Sequence, residues 1–493
     1  MPNPLFDALF AAGAGTAPAI EAEARAFTYA ELKRQTARFA GALIALGVKP
    51  GDRVAAQIEK SAAVLILYLA TIRAGAVFLP LNPAYTVAEL SVFLADAEPA
   101  LIVVDPARRQ TIAAIAAIAA GACVETLDGA GEGTLAILAA GAPASFETVP
   151  RRDSDLAAIC YTSGTTGRSK GAMLSHGNLI SNAATLKDLW RFTPRDVLIH
   201  ALPTYHVHGL FIATHVAMMA GAAMILQPRF DADAVIAAMP RATVLMGVPT
   251  FYTRLLAHPG LTREATAQMR LFISGSAPLL AQTHDAFSAR TGQAILERYG
   301  LTETGMNASN PYEGERRAGT VGFALRGVEV RIAGPTGAIG VVEVRGQNVF
   351  AGYWRAPEKT ADAFTADGWF MTGDLGVIDQ AGYLSIVGRG KDLIITGGLN
   401  VYPSEVEAAI DAVPGVVESA VIGLPHPDLG EAVTAVVVGA PALTETAILA
   451  ALARDLARFK HPKRVLFVGD LPRNPMGKVQ KALLRELYAG LYG

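Results

Sequence analysis

Apolar and polar positions alternate in the manner of strand and helix over roughly the first 300 residues. Apolar runs at Val54–Ile58 and Leu156–Tyr161 predict strands, and Ser61–Gly75 has the apolar spacing of a helix. Thr28 followed three residues later by Glu31 predicts a helix N-terminus closed by a capping box. Repeated alternation of strands with helices favours parallel sheets covered by helices. We therefore expect an α/β domain here.

The pattern changes at Val328. Short β runs at Val328–Ala333, Gly340–Arg345 and Gly382–Val387, bounded by Gly and Pro, predict a smaller β-rich subdomain. Four further elements are predicted towards the C-terminus: helices at Ser404–Ala412 and Glu445–Arg458, and strands around Ser419–Gly423 and Val433–Gly439. A domain boundary is expected near Gly388–Asp392, before these elements; the division into a large N-terminal domain, residues 1–388, and a small α+β domain, residues 389–493, is what the family resemblance described below implies.

Composition excludes several classes of protein. The chain has 493 residues, of which 52% are hydrophobic and 17% charged, so it is long enough for two globular domains and shows no bias to disorder. A formal net charge of −2 gives no electrostatic reason to expect nucleic acid or an anionic membrane as partner. Cys123 and Cys160 are too few for a disulfide framework and lack metal-ligand spacing.

Two apolar stretches could suggest a membrane protein. Ile112–Val124 is shorter than the roughly 20 residues that a membrane span needs, and Thr204–Leu226 is interrupted by histidines and glycines. Both are expected to be buried segments of a large core. The N-terminus lacks the basic region and cleavage site of a signal peptide, so we expect a soluble, cytoplasmic protein.

The most informative motif is the loop Tyr161-Thr-Ser-Gly-Thr-Thr-Gly-Arg-Ser-Lys-Gly171. Gly164 and Gly167 permit tight turns, so backbone N–H groups can converge on phosphate oxygens together with the hydroxyls and Lys170. It is not a Walker loop, because Ser or Thr does not follow the lysine. A flexible surface linker is the alternative that the loop alone leaves open.

This loop resembles the phosphate-binding motif of the adenylate-forming superfamily, which includes acyl-CoA synthetases. Five more family motifs follow in order: Tyr299-Gly-Leu-Thr-Glu303, Tyr353-Trp354, Thr372-Gly-Asp374, Gly388-Arg-Gly-Lys-Asp392 and Gly477-Lys478. The resemblance implies an enzyme that transfers AMP from ATP to a carboxylate and then passes the acyl group to a thiol. It also implies a mobile C-terminal lid with its hinge at Lys391, where flanking glycines permit rotation.

The resemblance assigns the nucleotide-binding residues. ATP phosphates would be held by Thr162, Ser163, Gly164, Thr165, Thr166, Gly167 and Lys170. Thr302 and Glu303 would contact Mg²⁺ and the α-phosphate, and Asp374 and Arg389 would hold the ribose. The adenine side is assigned to Gly275, Ser276, Ala277, Tyr299 and Gly300, with Tyr299 stacking on the base.

Two segments of the small domain are expected to serve successive steps. Lys478 would bridge the substrate carboxylate and the α-phosphate during adenylation, although Arg473 and Asn474 depart from the family's Lys-Thr. After the lid rotates, Gly397 and Gly398 would line a channel for coenzyme A. A lysine acetyltransferase and deacetylase acting on Lys478 would be regulatory partners.

Arg298 indicates which acid is activated. Most relatives carry a small residue before the Tyr-Gly block, and a buried cation there would suit a second carboxylate on the substrate. With His206 as a catalytic and pocket residue, and Arg254 as a second guanidinium nearby, this resembles the malonyl-CoA synthetases, the small-dicarboxylate branch. Malonate is the expected substrate, with methylmalonate as a further candidate.

Several alternatives remain at this point. Arg298 could instead pair with Glu297 or cap a helix. The enzyme could activate a monocarboxylic acid, of short or medium chain or aryl. A luciferase-type oxygenase and a stand-alone adenylation module share the same motifs, although Thr204-Tyr-His-Val lacks the aspartate with which adenylation modules bind an amine.

Overall fold

The computed structural model describes residues 2–23, 25–119, 122–162, 170–396, 399–474 and 477–492. The helices are α1 Pro4–Phe10, α2 Tyr29–Ala45, α3 Ala62–Arg73, α4 Val87–Ala97, α5 Arg109–Ala119, α6 Thr134–Gly141, α7 His176–Leu189, α8 Thr214–Met219, α9 Ala232–Ala238, α10 Pro249–Ala257, α11 Ala281–Thr291, α12 Pro357–Ala361, α13 Pro403–Asp411, α14 Glu445–Asp455 and α15 Lys481–Leu487.

The strands of the N-terminal part are β1 Pro18–Ala22, β2 Ala26–Thr28, β3 Arg53–Gln57, β4 Val77–Pro80, β5 Leu101–Val104, β6 Cys123–Thr126, β7 Leu156–Thr162, β8 Lys170–Ser175, β9 Val197–His200, β10 Ala223–Leu226, β11 Val244–Gly247, β12 Leu271–Ser274, β13 Leu296–Leu301, β14 Gly305–Ser309 and β15 Phe323–Ala324. Those that follow are β16 Val328–Ile332, β17 Gly340–Gly346, β18 Phe370–Ile378, β19 Leu384–Arg389, β20 Ile394–Thr396, β21 Leu399–Val401, β22 Val416–His426, β23 Gly430–Gly439 and β24 Arg464–Phe467.

Two mixed sheets form the body of the large domain. One has the order β6-β5-β3-β4-β7-β8, and the other β15-β14-β13-β12-β11-β9-β10-β1-β2. The six-stranded sheet is parallel except for its edge strand β8, and the nine-stranded sheet is parallel inside and antiparallel at both edges. A single apolar core joins the sheets, and α3 within it is buried along its whole length. The predicted parallel α/β architecture is confirmed.

The β-rich subdomain is the antiparallel sheet β16-β17-β18-β19. The short β runs predicted after Val328 correspond to β16, β17 and β19. The sequence pattern did not indicate β18, which contains the motif Thr372-Gly-Asp374. Asp374 on β18 lies directly opposite Arg389 on β19, so the pairing of these strands brings two separate sequence motifs together.

The small domain has its own sheet, β21-β20-β23-β22, with β24 parallel to β23. Its apolar core packs the sheet against α13 and α14, which were predicted within a few residues of their observed bounds. The domain boundary predicted between residues 388 and 389 falls in the last residues of β19, just before a 3₁₀ turn at Gly390–Asp392. The boundary itself stays a prediction.

Local predictions can be compared with these elements. The capping box of Thr28 and Glu31 is present at the start of α2. The expectation that Ile112–Val124 is buried is wrong for Ala113 and Ala114, which are exposed on α5, although Ile112 beside them is buried. Thr204–Leu226 is a one-turn π-helix at His208–Ala213 followed by α8 and β10, nearly all buried. None of the helices in the described ranges is long and apolar enough to cross a membrane.

Candidate active site

The site lies at the carboxyl ends of central strands in the nine-stranded sheet, where open α/β sheets usually place ligands. β12 ends at Ser274 and leads directly into Gly275 and Ser276. The neighbouring strand β13 carries Arg298 and Tyr299. Parallel pairing of these two strands therefore fixes the adenine-side loop beside the residues of the Tyr-Gly block.

The glycine- and threonine-rich loop joins two paired strands. Thr162 closes β7 opposite Lys170, which begins β8. The ammonium of Lys170 lies 4.7 Å from the ring centroid of Tyr353, a cation–π contact that connects the loop to the Tyr-Trp motif. The predicted phosphate ligands Ser163, Gly164, Thr165, Thr166 and Gly167 lie outside the described residues.

Asp374 is held by two side chains from different motifs. The Tyr299 hydroxyl donates to Oδ2 at 2.5 Å, and Nε of Arg389 lies 2.7 Å from Oδ1 in an ion pair. Burial raises the pKa of Asp374, while the charge of Arg389 opposes that rise. Each carboxylate oxygen keeps a second acceptor position, so the group can accept two hydroxyl donors in a defined orientation.

Glu303 lies at the end of the Tyr-Gly block and is 9% exposed. Its Oε1 accepts a hydrogen bond from the Tyr353 hydroxyl at 3.1 Å, and its backbone carbonyl accepts from Phe350. Thr302 beside it is half-buried. The tyrosine of the Tyr-Trp motif therefore orients this carboxylate.

Arg298 is a buried cation, 3% exposed. Its Nη2 is 3.5 Å from the Ser276 hydroxyl, and its Nε has no hydrogen-bond partner. Within the described part of the chain, it forms no ion pair with a carboxylate. Burial lowers the pKa of Arg298 to about 9. The guanidinium is thus buried with part of its hydrogen-bonding capacity unused.

Pairing of Arg298 with Glu297 is wrong. The two side chains point to opposite faces of β13, as consecutive strand residues do. Glu297 instead accepts from the backbone N–H of Gly319 at 3.3 Å, and burial raises its pKa to about 8. The neighbouring carboxylate of Glu297 therefore does not neutralise the charge of Arg298.

Two histidines lie close enough to Arg298 to feel its charge. Nδ1 of His206 accepts the backbone N–H of His208 at 3.2 Å, and Nδ1 of His208 is 3.2 Å from the Ser276 hydroxyl. Burial, Lys478 and Arg298 lower the pKa of His206 to about 3. Both rings are neutral near pH 7, because burial and nearby cations also lower the pKa of His208. The sequence did not indicate the contact between His208 and Ser276, a residue that the resemblance assigns to the adenine side.

The small domain presents Lys478 to this site. The residue is exposed at the surface, and partial burial of its ammonium lowers the pKa of Lys478. Arg389 and Arg298 lower that pKa further, whereas Asp374 and Glu303 raise it. Next to it, Gly477 packs close to Thr250 at the start of α10. The lid therefore faces the large domain with its lysine among the nucleotide- and acid-site residues.

Comparison with known proteins gives the family. The AMP-binding enzyme family matches residues 9–354, and the C-terminal domain of AMP-binding enzymes matches residues 405–478. The chain belongs to the AMP-binding enzyme family. Among solved structures, ATP-bound MatB from Rhodopseudomonas palustris is 60% identical, with a TM-score of 0.98 and both chains covered over 100%.

Relatives of this AMP-binding enzyme are named as CoA ligases for several different acids. A feruloyl-CoA synthase from Amycolatopsis sp is 37% identical over 488 residues, covering 96% of each chain. The malonate–CoA ligase of Arabidopsis thaliana is 32% identical over 521 residues, covering 95% of this chain and 86% of its own. A sulfoacetate–CoA ligase from Cupriavidus necator is 35% identical and covers 93% of this chain and 92% of its own.

The other residues predicted for the site of this AMP-binding enzyme are Arg254, Lys391, Gly397 and Gly398. Arg254 is exposed on α10. Its role as a second guanidinium near the acid stays a prediction. Lys391 is exposed in the 3₁₀ turn before the lid. Gly397 and Gly398 lie outside the described residues.

Proposed function

We propose that the protein is an AMP-forming malonate–CoA ligase. In the first step the malonate carboxylate attacks the α-phosphorus of ATP, forming malonyl-AMP and releasing pyrophosphate. In the second step the thiol of coenzyme A displaces AMP, giving malonyl-CoA. The observation that carries this proposal is Arg298, a buried guanidinium at the acid pocket without a carboxylate partner in the described structure.

A buried charge without a partner is costly, so its presence demands a compensating group. Leaving one member of a buried ion pair unmatched costs about 3–5 kcal/mol. A fatty or aryl chain would place apolar surface against Arg298 and leave that cost in place. The second carboxylate of malonate would offset it through a charge-assisted, bidentate hydrogen bond. The reacting carboxylate would then point away from Arg298, towards Lys478.

Adenylation brings a carboxylate against a polyanionic triphosphate, so cations must offset the repulsion. Lys478 is the group that we assign to the reacting carboxylate and the α-phosphate, because it lies within electrostatic reach of both Arg298 and Asp374. Thr162 and Lys170 flank the loop that would hold the outer phosphates. His206 is neutral, so it would position the acid as a hydrogen-bonding group rather than as a cation.

Glu303 and Thr302 would suit an Mg²⁺ ion that is bound jointly with ATP, rather than a metal held by protein ligands alone. The described residues contain no cluster of three or more His, Cys, Asp or Glu side chains that could hold a metal. Mg²⁺ is usually bound by one or two carboxylates together with substrate phosphates and waters, which agrees with a single oriented carboxylate. When bound with ATP, the ion would neutralise phosphate charge.

The nucleoside is assigned to the Asp374 group. The two oxygens of Asp374 would accept the ribose hydroxyls while Tyr299 and Arg389 hold the carboxylate in place. Gly275, Ser276, Ala277 and Gly300 would contact the adenine, and stacking of Tyr299 on the base stays a prediction. This assignment gives Tyr299 a second role, since its hydroxyl orients the ribose ligand.

Thioester formation is assigned to a second lid position. Rotation at Lys391 would withdraw Lys478 and bring Gly397 and Gly398 to the adenylate, where glycines leave room for the pantetheine arm of coenzyme A. Acetylation of Lys478 by an acetyltransferase would remove the charge that adenylation needs, and a deacetylase would restore it. Regulation by these enzymes is part of the proposal.

The deciding experiment measures pyrophosphate release with malonate, methylmalonate, succinate, sulfoacetate, acetate, octanoate, benzoate and ferulate, with and without coenzyme A. Malonate should give the highest kcat/KM, and malonyl-CoA should form only when coenzyme A is present. A higher kcat/KM for any monocarboxylate would overturn the malonate assignment. Light emission with a luciferin would reveal an oxygenase.

A ligase for an aromatic acid is the second candidate, because feruloyl-CoA synthase and indoleacetate–CoA ligase are both 37% identical to this chain. Sulfoacetate further distinguishes a malonate ligase from a ligase for an aromatic acid. It has one carboxylate and one sulfonate, so a pocket built around Arg298 should accept it more readily than acetate. A pocket for aromatic acids should reject both and accept ferulate.

A further inference from the structure

The turn that presents Lys478 is anchored by an arginine at its start. Nη1 of Arg473 donates to the backbone carbonyl of Gly477 at 2.7 Å, and Nη2 forms an ion pair with Glu418 on β22. Both side chains are mostly buried, with 26% and 23% of their surface exposed. The same guanidinium therefore joins the body of the lid to the residue that precedes Lys478.

Asn474 completes the turn from the inside. Its backbone N–H donates to the carbonyl of Lys478 at 2.9 Å, and its side-chain Oδ1 accepts the backbone N–H of Lys478 at 3.0 Å. Gly477 has a φ of +75°, which an L-residue rarely adopts. The backbone of Lys478 is thus bonded on both sides to Asn474.

A second ion pair holds the other end of the turn. Lys481, at the start of α15, lies 2.6 Å from Glu407 on α13. The turn is consequently tied to two different elements of the lid, β22 through Arg473 and α13 through Lys481. Because both anchors belong to elements packed in the core of the lid, the position of the Lys478 backbone is set by the lid as a whole.

We propose that Arg473, with Glu418 as its partner, is a positioning residue for adenylation, acting through Gly477 on Lys478. A lysine could hold Glu418 or the Gly477 carbonyl, but it lacks the planar fork that bonds both at once. Arg473 and Asn474, which replace the family's Lys-Thr, thus both bond to the turn that carries Lys478. The inference rests on the proposed function, because it requires Lys478 to serve the first step.

The test measures the two half-reactions separately in the full-length enzyme. Arg473→Met keeps the length of the side chain and removes both contacts, and Glu418→Gln removes the charge of the partner. We expect pyrophosphate release from malonate and ATP to fall about 10–100-fold in both variants, the scale of a misplaced catalytic group. Malonyl-CoA formation from synthetic malonyl-AMP should stay within about twofold, because Lys478 is then withdrawn.

Arg473→Lys and Arg464→Met serve as controls. The first should give an intermediate loss of adenylation, because one of the two contacts survives. The second removes an ion pair between Arg464 and Glu445, 3.6 Å apart in the same domain, and should leave both half-reactions unchanged. Equal loss of the two half-reactions, or a loss that follows a lowered Tm, would show that Arg473 only stabilises the lid.

Lys478→Ala, measured in parallel, separates this inference from the proposed function. If Lys478→Ala loses adenylation while Arg473→Met and Glu418→Gln keep it, the positioning role is wrong and the proposed function stands. If Lys478→Ala itself adenylates malonate normally, the role of Lys478 in the proposed function is wrong.

Discussion

Gly275 leaves the space that the guanidinium of Arg298 occupies. A Cβ atom at Gly275 would lie 2.3 Å from Cζ of Arg298 and 2.5 Å from its Nε. Such a contact is too short, so one of the groups would have to move. The absence of a side chain at one position therefore permits the buried charge at the other.

Gly275→Ala should impair malonate use without unfolding the protein. The methyl group would push away the end of a flexible side chain, so Arg298 should lose its place while the backbone stays intact. We expect kcat/KM for malonate to fall about 10–100-fold. Gly129→Ala, where a Cβ would meet nothing within 4 Å, is the matched control and should not change it. Unchanged malonate kinetics in Gly275→Ala would show that the loop yields instead of Arg298.

Arg298→Ala removes the partner that we assign to the distal carboxylate. Malonate kcat/KM should fall by at least ~100-fold, consistent with about 3–5 kcal/mol for an unpaired buried charge. Monocarboxylates should lose little, since they never used the guanidinium. Steady-state kinetics on malonate and butyrate would check this. An equal loss on both acids would mean that Arg298 supports the pocket wall.

Lys478→Ala should separate the half-reactions. Adenylation should drop about 10²–10³-fold, because a positioned cation no longer offsets the charge between carboxylate and α-phosphate. Synthetic malonyl-AMP with coenzyme A should still give malonyl-CoA, measured by chromatography. Acetylated Lys478 should behave like the variant. Failure of the variant on malonyl-AMP as well would contradict a lid with two working positions.

Adenylation should also lose activity at high pH. The pKa of Lys478 is lowered, so its charge is lost at a lower pH than that of an ordinary exposed lysine. Only the charged form helps, so the rate of adenylation should fall as pH rises through that pKa. Thioester formation from malonyl-AMP should lack this falling limb, and Lys478→Arg should lack it in both steps. The same fall in rate at high pH in both steps and in Lys478→Arg would show that a group other than Lys478 titrates.

Lys391→Pro should block the second step selectively. Proline fixes φ near −65°, which a 3₁₀ turn accepts, so the lid position described here should persist. Pyrophosphate release should therefore be nearly normal, while CoA-dependent turnover should fall sharply because the backbone cannot rotate. Lys359→Pro on exposed α12 is the control, because it introduces a proline away from the hinge and should affect neither step. Normal malonyl-CoA formation in Lys391→Pro would move the hinge to another residue.

Much of the fold followed from local pattern, but some elements did not. The capping box at Thr28 and the apolar strand Leu156–Tyr161 were predictable, because caps and buried strands depend on residues a few positions apart. β18 was missed because its motif Thr372-Gly-Asp374 is polar and contains glycine, and its partners β17 and β19 stabilise it from outside. The exposure of Ala113 and Ala114 on α5 was missed because alanine fits a buried or an exposed helix equally well.

The sequence by itself determined the family and the residue types of the site, since six short motifs each carry their own donors, acceptors and glycines. Only the tertiary structure decided how those motifs combine. Pairing of β18 with β19 joins Asp374 to Arg389, and strand alternation separates Arg298 from Glu297. Docking of the lid brings Lys478 towards Arg298, 180 positions earlier in the chain. Burial, pKa and the partner of a charge depend on distances through space, which spacing along the chain does not contain.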